Sequence, residues 1–184
     1  MAKQVKTIPG QVGFQALCVA SEPREFVGDD GIKRTFQQFD FYGGCIRLLN
    51  PPQMFPVGSF VRLSGLVACR AGTMVKLVPT VFEPVENLDV DEFSRGPVWA
   101  CQAFATKEVY TRNNTDYLSL RLRIIGGLIE IRQVPSQLFR LVNDNQRYEF
   151  SGVIVPVSRY DTKENNFDLV YTLAVVRADS IDRT

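Results

Sequence analysis

Between Tyr117 and Arg132 the chain alternates aromatic, basic and small polar side chains with aliphatic ones. Tyr117, Ser119, Arg121 and Arg123 share one parity, and Leu118, Leu120, Leu122 and Ile124 the other, which is the period of a half-buried strand. Beyond Gly126-Gly127, Ile129 and Ile131 continue an apolar face while Glu130 and Arg132 continue a polar one. An aromatic ring offers a flat surface for stacking and a guanidinium holds an anionic oxygen, so the polar face carries the chemistry of stacking and phosphate contact. More residues of these two kinds fall in the loops expected around the run: Lys107, Tyr110 and Arg112 in the loop before it, Arg159, Tyr160 and Lys163 in a long loop after it. An earlier stretch has a weaker version in Arg34, Phe36, Gln38, Asp40 and Arg47, with Arg24 and Lys33 in the loop before it. The competing account of these charges is structural, with Arg121, Arg123 and Glu130 pairing across neighbouring strands.

Other chemistries lack their parts. The chain has no histidine, which removes Ser-His and Cys-His nucleophile pairs, imidazole acid-base steps and His-ligated metals. Cys18, Cys45, Cys69 and Cys101 lie far apart within apolar runs and form no C-x-x-C pair, so they read as four buried reduced thiols. No phosphate-binding or dinucleotide glycine pattern occurs, and no cofactor, metal or catalytic residue is expected. The first residues lack an apolar signal segment and no run reaches a membrane span, so a cytoplasmic protein is expected.

The elements that carry the polar face occur twice. A strand from Gly13 to Ala20, the run Arg34–Phe41, the interruption Gly43-Gly44, the run Cys45–Leu49, a Pro-rich connector and strands at Phe60–Val67 and Met74–Phe82 form one set. From Trp99 the order recurs, with Gly126-Gly127 answering Gly43-Gly44, Pro135-Ser136-Gln137-Leu138-Phe139 answering Pro51-Pro52-Gln53-Met54-Phe55, and Ser151-Gly152 answering Ser64-Gly65. The second connector is longer and predicts a short helix near Arg140–Asn143 with Ser136 as its N-cap. Phe14 and Trp99 hold equivalent places in the two first strands, where a large aromatic reads as core.

Five strands with a short helix or turn between the third and fourth is the order of the OB-fold, a small Greek-key barrel. The fold expected is all-β: a first barrel over residues 1–82, an acidic linker over 83–96 and a second barrel over 97–184. The glycine pairs would bend strands two and three to close each barrel. In this pattern the chain resembles single-stranded DNA-binding proteins. It departs from the common bacterial type in having two barrels per chain and an end, Ala178 to Thr184, without the acidic tip ending in Phe through which that family recruits partners.

The stretch Glu83 to Glu92 carries five acids and no base, and reads as a solvated spacer or as a competitor for a basic groove. Without it the two halves are mildly basic, net +4 over residues 1–82 and net +2 over 97–178. The resemblance implies sequence-independent binding of single-stranded DNA, with single-stranded RNA as the alternative ligand. A protein-interaction scaffold using the same open face is the competing class. The second barrel would lead, because Asp40 stands in the first where Arg123 stands in the second. Open sheet edges of small barrels further predict a homodimer.

Overall fold

A computed structural model describes residues 5–161 and 166–181, and the side chains within it apart from Ala71 and residues 158–169. The strands are β1 (Val12–Ala20), β2 (Arg24–Val27), β3 (Lys33–Phe41), β4 (Gly44–Leu49), β5 (Phe60–Ala71), β6 (Met74–Val85), β7 (Val98–Arg112), β8 (Thr115–Ile124), β9 (Gly127–Arg132), β10 (Gln146–Asp161) and β11 (Asn166–Ser180). Two short helices, α1 (Val90–Arg95) and α2 (Ser136–Leu141), complete the order. No described helix is long and apolar enough to cross a membrane.

Each half follows the expected OB path. The first strand (β1, β7) pairs antiparallel with the second (β3, β8) on one edge and with the fourth (β5, β10) on the other, the second pairs with the third (β4, β9), and the fourth with the fifth (β6, β11). The aliphatic parity of β8 and β9 points inward, so Leu120, Leu122, Ile129 and Ile131 are buried, as are Phe39 and Ile46 of the first half.

The halves meet in a two-fold-like arrangement through their first strands. Val12 pairs with Cys101, Gly13 with Ala100, Phe14 with Trp99 and Gln15 with Val98. Phe14 and Trp99, equivalent in sequence, are therefore direct partners, and each is only 1% exposed. The reading of both as core holds. Opposite them on the fourth strands stand Gly65 and Gly152, each at a bulge. A Cβ there would lie 2.1 Å from the Val78 carbonyl oxygen or 1.8 Å from that of Ala174, so only glycine lets the backbones approach this closely. The Trp99 indole N–H donates to Val153 O (3.2 Å) and Ala174 O (3.1 Å) across this bulge.

Further contacts tie one half to the other. The turn after β3 rests near Pro156 of β10, and the Phe41 and Tyr171 rings lie 6.0 Å apart. Tyr171, whose hydroxyl donates to the Cys45 carbonyl, also pairs with Val75 of β6. In the counterpart contact, Ile125 N donates to Gly10 O at 2.7 Å, while Gly10 N donates to Gln102 O at 3.0 Å. The chain before β1 is thus strapped across the second half.

Several local expectations change. Strands two and three do meet at the glycine pairs, but there the glycines close two-residue hairpin turns instead of curving the strands, with φ of 90° at Gly43 and 91° at Gly126. The helix between β9 and β10 starts earlier than expected, and its N-cap is Pro135 rather than Ser136, with no side-chain cap bond. Proline fits because its φ is fixed and it has no N–H to satisfy. Cys69 is exposed, against the expectation of burial; Cys18 and Cys101 are buried, Cys45 is partly so, and all four are free. Burial pushes the Cys101 thiol up to about 12.

The acidic stretch is also ordered. β6 runs through Val85, and Asp89 caps α1 by accepting from the Asp91 and Glu92 amides at 3.1 Å each. Glu92 then takes a bidentate pair from Arg62 of β5 at 2.7 Å, with Gln15 Nε2 donating to the same carboxylate at 3.4 Å. Of the five acids, Glu92 docks the segment on Arg62, Glu83 lies 3.7 Å from the same guanidinium, and Asp89 caps α1 while remaining exposed.

Candidate nucleic-acid interface

The outer face of β7, β8 and β9 is set by register. Phe104, Arg123 and Leu128 form one cross-strand row; Thr106, Arg121 and Glu130 the next; Glu108, Ser119 and Arg132 the third; Tyr110 and Tyr117 the last. β7 pairs with β10 only as far as Ala105, so Thr106–Arg112 and Thr115–Leu118 project beyond the sheet as a two-stranded ribbon. Its tip is Asn113-Asn114, with φ of 51° and 61°, the left-handed pair of a tight hairpin turn that asparagine tolerates. In the first half the matching ribbon is shorter and broken: β1 stops at Ala20 and β2 resumes the ladder with β3 only from Arg24, the break falling at Pro23, which has no N–H to donate.

Aromatic and cationic groups interleave along this face. The Tyr110 and Tyr117 rings stack at 5.1 Å with 19° between planes, and the Arg132 guanidinium lies 5.0 Å from the Tyr110 centroid. At the other end the Arg123 guanidinium sits 5.8 Å over Phe104, which is 42% exposed beside Leu128 at 52%. Between them Arg121 is held by Glu108 at 3.0 Å and Arg132 by Glu130 at 3.0 Å. The cross-strand pairing expected of these charges holds for Arg121, though with Glu108 instead of Glu130, which pairs with Arg132 along its own strand. Arg123 has no carboxylate partner among the described residues, and Arg112 lies on the same parity as Tyr110 at the ribbon tip, exposed.

Lys107 faces the opposite way, its ammonium 5.0 Å over the Phe139 ring of α2. Tyr110 and Arg112, expected in a loop, lie on β7. The side chains of Arg159 and Tyr160, and all of Lys163, fall outside the described residues. Phe104, Leu128 and Glu108 were not singled out from sequence, though Phe104, Thr106, Glu108 and Tyr110 already keep period two and Asn113-Asn114 marks the turn.

The equivalent face of the first half is built by β2, β3 and β4. Arg24 pairs with Phe36, Phe26 with Arg34, Leu49 with Phe36, Arg47 with Gln38 and Cys45 with Asp40. Asp40 does occupy the place of Arg123, two residues before the corresponding turn. It accepts from Gln38 Nε2 at 2.7 Å, and Gln38 Oε1 in turn accepts from Arg47 Nε at 2.9 Å. Arg34 is clamped by Asp30, one oxygen at 2.9 Å, and this guanidinium holds the Asp30 carboxyl below its ordinary range. Lys33 points off this face and pairs with Glu25 at 2.8 Å. The loop residue Arg24 is in fact on β2, a strand hidden from sequence reading by its position between Pro23 and Gly28.

The strand order and pairing of each half define an OB-fold architecture. The chain is similar to the wild-type single-stranded DNA-binding protein of Thermus aquaticus, at TM-score 0.54 and 13% identity over 96% of both chains. A deletion variant of that protein aligns at TM-score 0.47 and 11% identity over 95% of both. No protein-family model and no curated protein matches the chain.

Proposed function

We propose that the protein binds single-stranded DNA without requiring a particular sequence and protects it during replication, recombination or repair, with no catalytic step. The observation that carries this reading is the face on which Arg123 over Phe104 and Arg132 over the Tyr110–Tyr117 stack lie on the same three strands. Rings that stack on any base contribute on the order of 1–3 kcal/mol each, and guanidiniums hold the backbone, so affinity needs no base code. The likeness in fold to a single-stranded DNA-binding protein supports the same reading.

In this reading the second half leads and the first contributes less, because Asp40 sets a carboxylate where Arg123 sets a cation. The halves act as two OB units joined within residues 83–96. The exposed valines 155, 157 and 176 on β10 and β11, with Val78 and Val81 on β6, favour a homodimer, and light scattering across micromolar concentrations tests it.

Fluorescence anisotropy with labelled oligo-dT, oligo-U and duplex tests the ligand. Tighter binding of oligo-dT than of duplex at moderate salt is expected. Equal binding would leave the face to a protein partner, and stronger binding of oligo-U would make the ligand RNA.

A further inference from the structure

A groove of about 370 Å³ opens on the first half, lined by Ser21, Glu22, Arg24, Phe36, Gln38 and Arg47. Its size is within the usual range for a small-molecule site, roughly 300–1,000 Å³. We propose that this groove is a single-base site that selects bases carrying an exocyclic amino group, an inference that rests on the single-stranded DNA reading.

Three features lead there. Glu22 and Arg24 line the same groove two residues apart, both exposed and neither with a hydrogen-bonding or ion-pair partner among the described residues, so both charges are available to a ligand. Phe36 supplies a ring between Arg24 on one side and Leu49 on the other. The Gln38 amide is fixed rather than free: Arg47 donates to its oxygen and its nitrogen donates to Asp40, while the Ser21 hydroxyl donates to the Gln38 backbone carbonyl at 2.8 Å. One amide N–H and one oxygen lone pair of Gln38 are left for a ligand.

The chemistry follows from these groups. Phe36 stacks on the base and Arg24 holds its phosphate. An ionised carboxylate only accepts hydrogen bonds, so Glu22 receives an amino group such as cytosine N4 and repels a carbonyl oxygen such as O4 of uracil. The second half has no such device, since Ser119 stands in the position of Phe36 and is buried. Its face binds any base, and the first half adds a bias.

Oligo-dC and oligo-dU of equal length test this, because the two bases differ in the amino or carbonyl group at one edge. The wild-type protein should prefer oligo-dC by roughly fivefold or more. Glu22→Gln, whose amide both donates and accepts, should bring the ratio toward one while oligo-dU still binds. Phe36→Leu should weaken both oligonucleotides together. A wild-type ratio at or below one, or a ratio that survives Glu22→Gln, overturns the inference while binding itself stands. If neither oligonucleotide binds better than duplex, the single-strand reading fails and takes the base site with it.

Discussion

Arg121 and Arg123 are two residues apart on one strand face, yet the structure gives them different consequences on substitution. Arg121 already spends its charge on Glu108 at 3.0 Å, whereas Arg123 rests on Phe104 without a carboxylate among the described residues. If Arg123 holds one phosphate, Arg123→Ala should reduce the slope of log K against log salt by about 0.7. Across roughly 50 to 200 mM salt that slope change shifts relative affinity by about 2.6-fold, with the loss greatest at low salt. Arg121→Ala should change the slope less, because the guanidinium must first leave Glu108. Glu108→Gln should do the reverse, freeing Arg121 and steepening the slope. The assay is anisotropy of a labelled oligo-dT at a series of salt concentrations, with thermal melting to check that each variant is folded. Equal slopes for wild type, Arg123→Ala and Glu108→Gln would refute the assignment of Arg123 as the available cation and the β7–β8–β9 face as the phosphate track.

Other substitutions test the frame. Trp99→Phe should cost on the order of 1–2 kcal/mol in urea unfolding, since Phe14 shows that a phenyl ring fits the equivalent place but cannot donate to Val153 and Ala174; a neutral result would mean the indole bonds add nothing. Gln37→Leu should be destabilising by about 2 kcal/mol or more, because fully buried Gln37 donates to Ser21 O and Phe55 O and accepts from Phe55 N. A loss of less than about 0.5 kcal/mol would show that the connector finds other partners. Arg62 holds the Glu92 carboxyl below its ordinary value of 4.5, so the stability from docking α1 is complete above that value and is lost as pH falls through the lower folded-state value. Wild type should therefore lose more stability than Glu92→Gln between about pH 5 and pH 3, and parallel acid profiles would count against the linkage.

Periodicity alone placed most of the strands, because a half-buried strand must alternate and the aliphatic parity of Leu118 to Ile124 can face only a core. The internal repeat was legible for the same reason, and with it the OB order and the equivalence of Asp40 with Arg123. Strand and helix ends were less legible: β2 is four residues set off by Pro23, and α1 owes its position to Arg62, a residue 30 positions away in sequence. The aromatic and basic types on the second half's face were visible, but their state was not. Whether Arg121 is engaged depends on Glu108, which comes within reach only when β7 lies beside β8. Lys33 and Lys107 were expected in loops, where no face is fixed; on β3 and β7 they take the parity opposite to Arg34 and Thr106, so strand period turns them away from the face. The union of the halves through Phe14 and Trp99 belongs wholly to the tertiary structure: sequence marks both as core aromatics, but only strand pairing makes them partners.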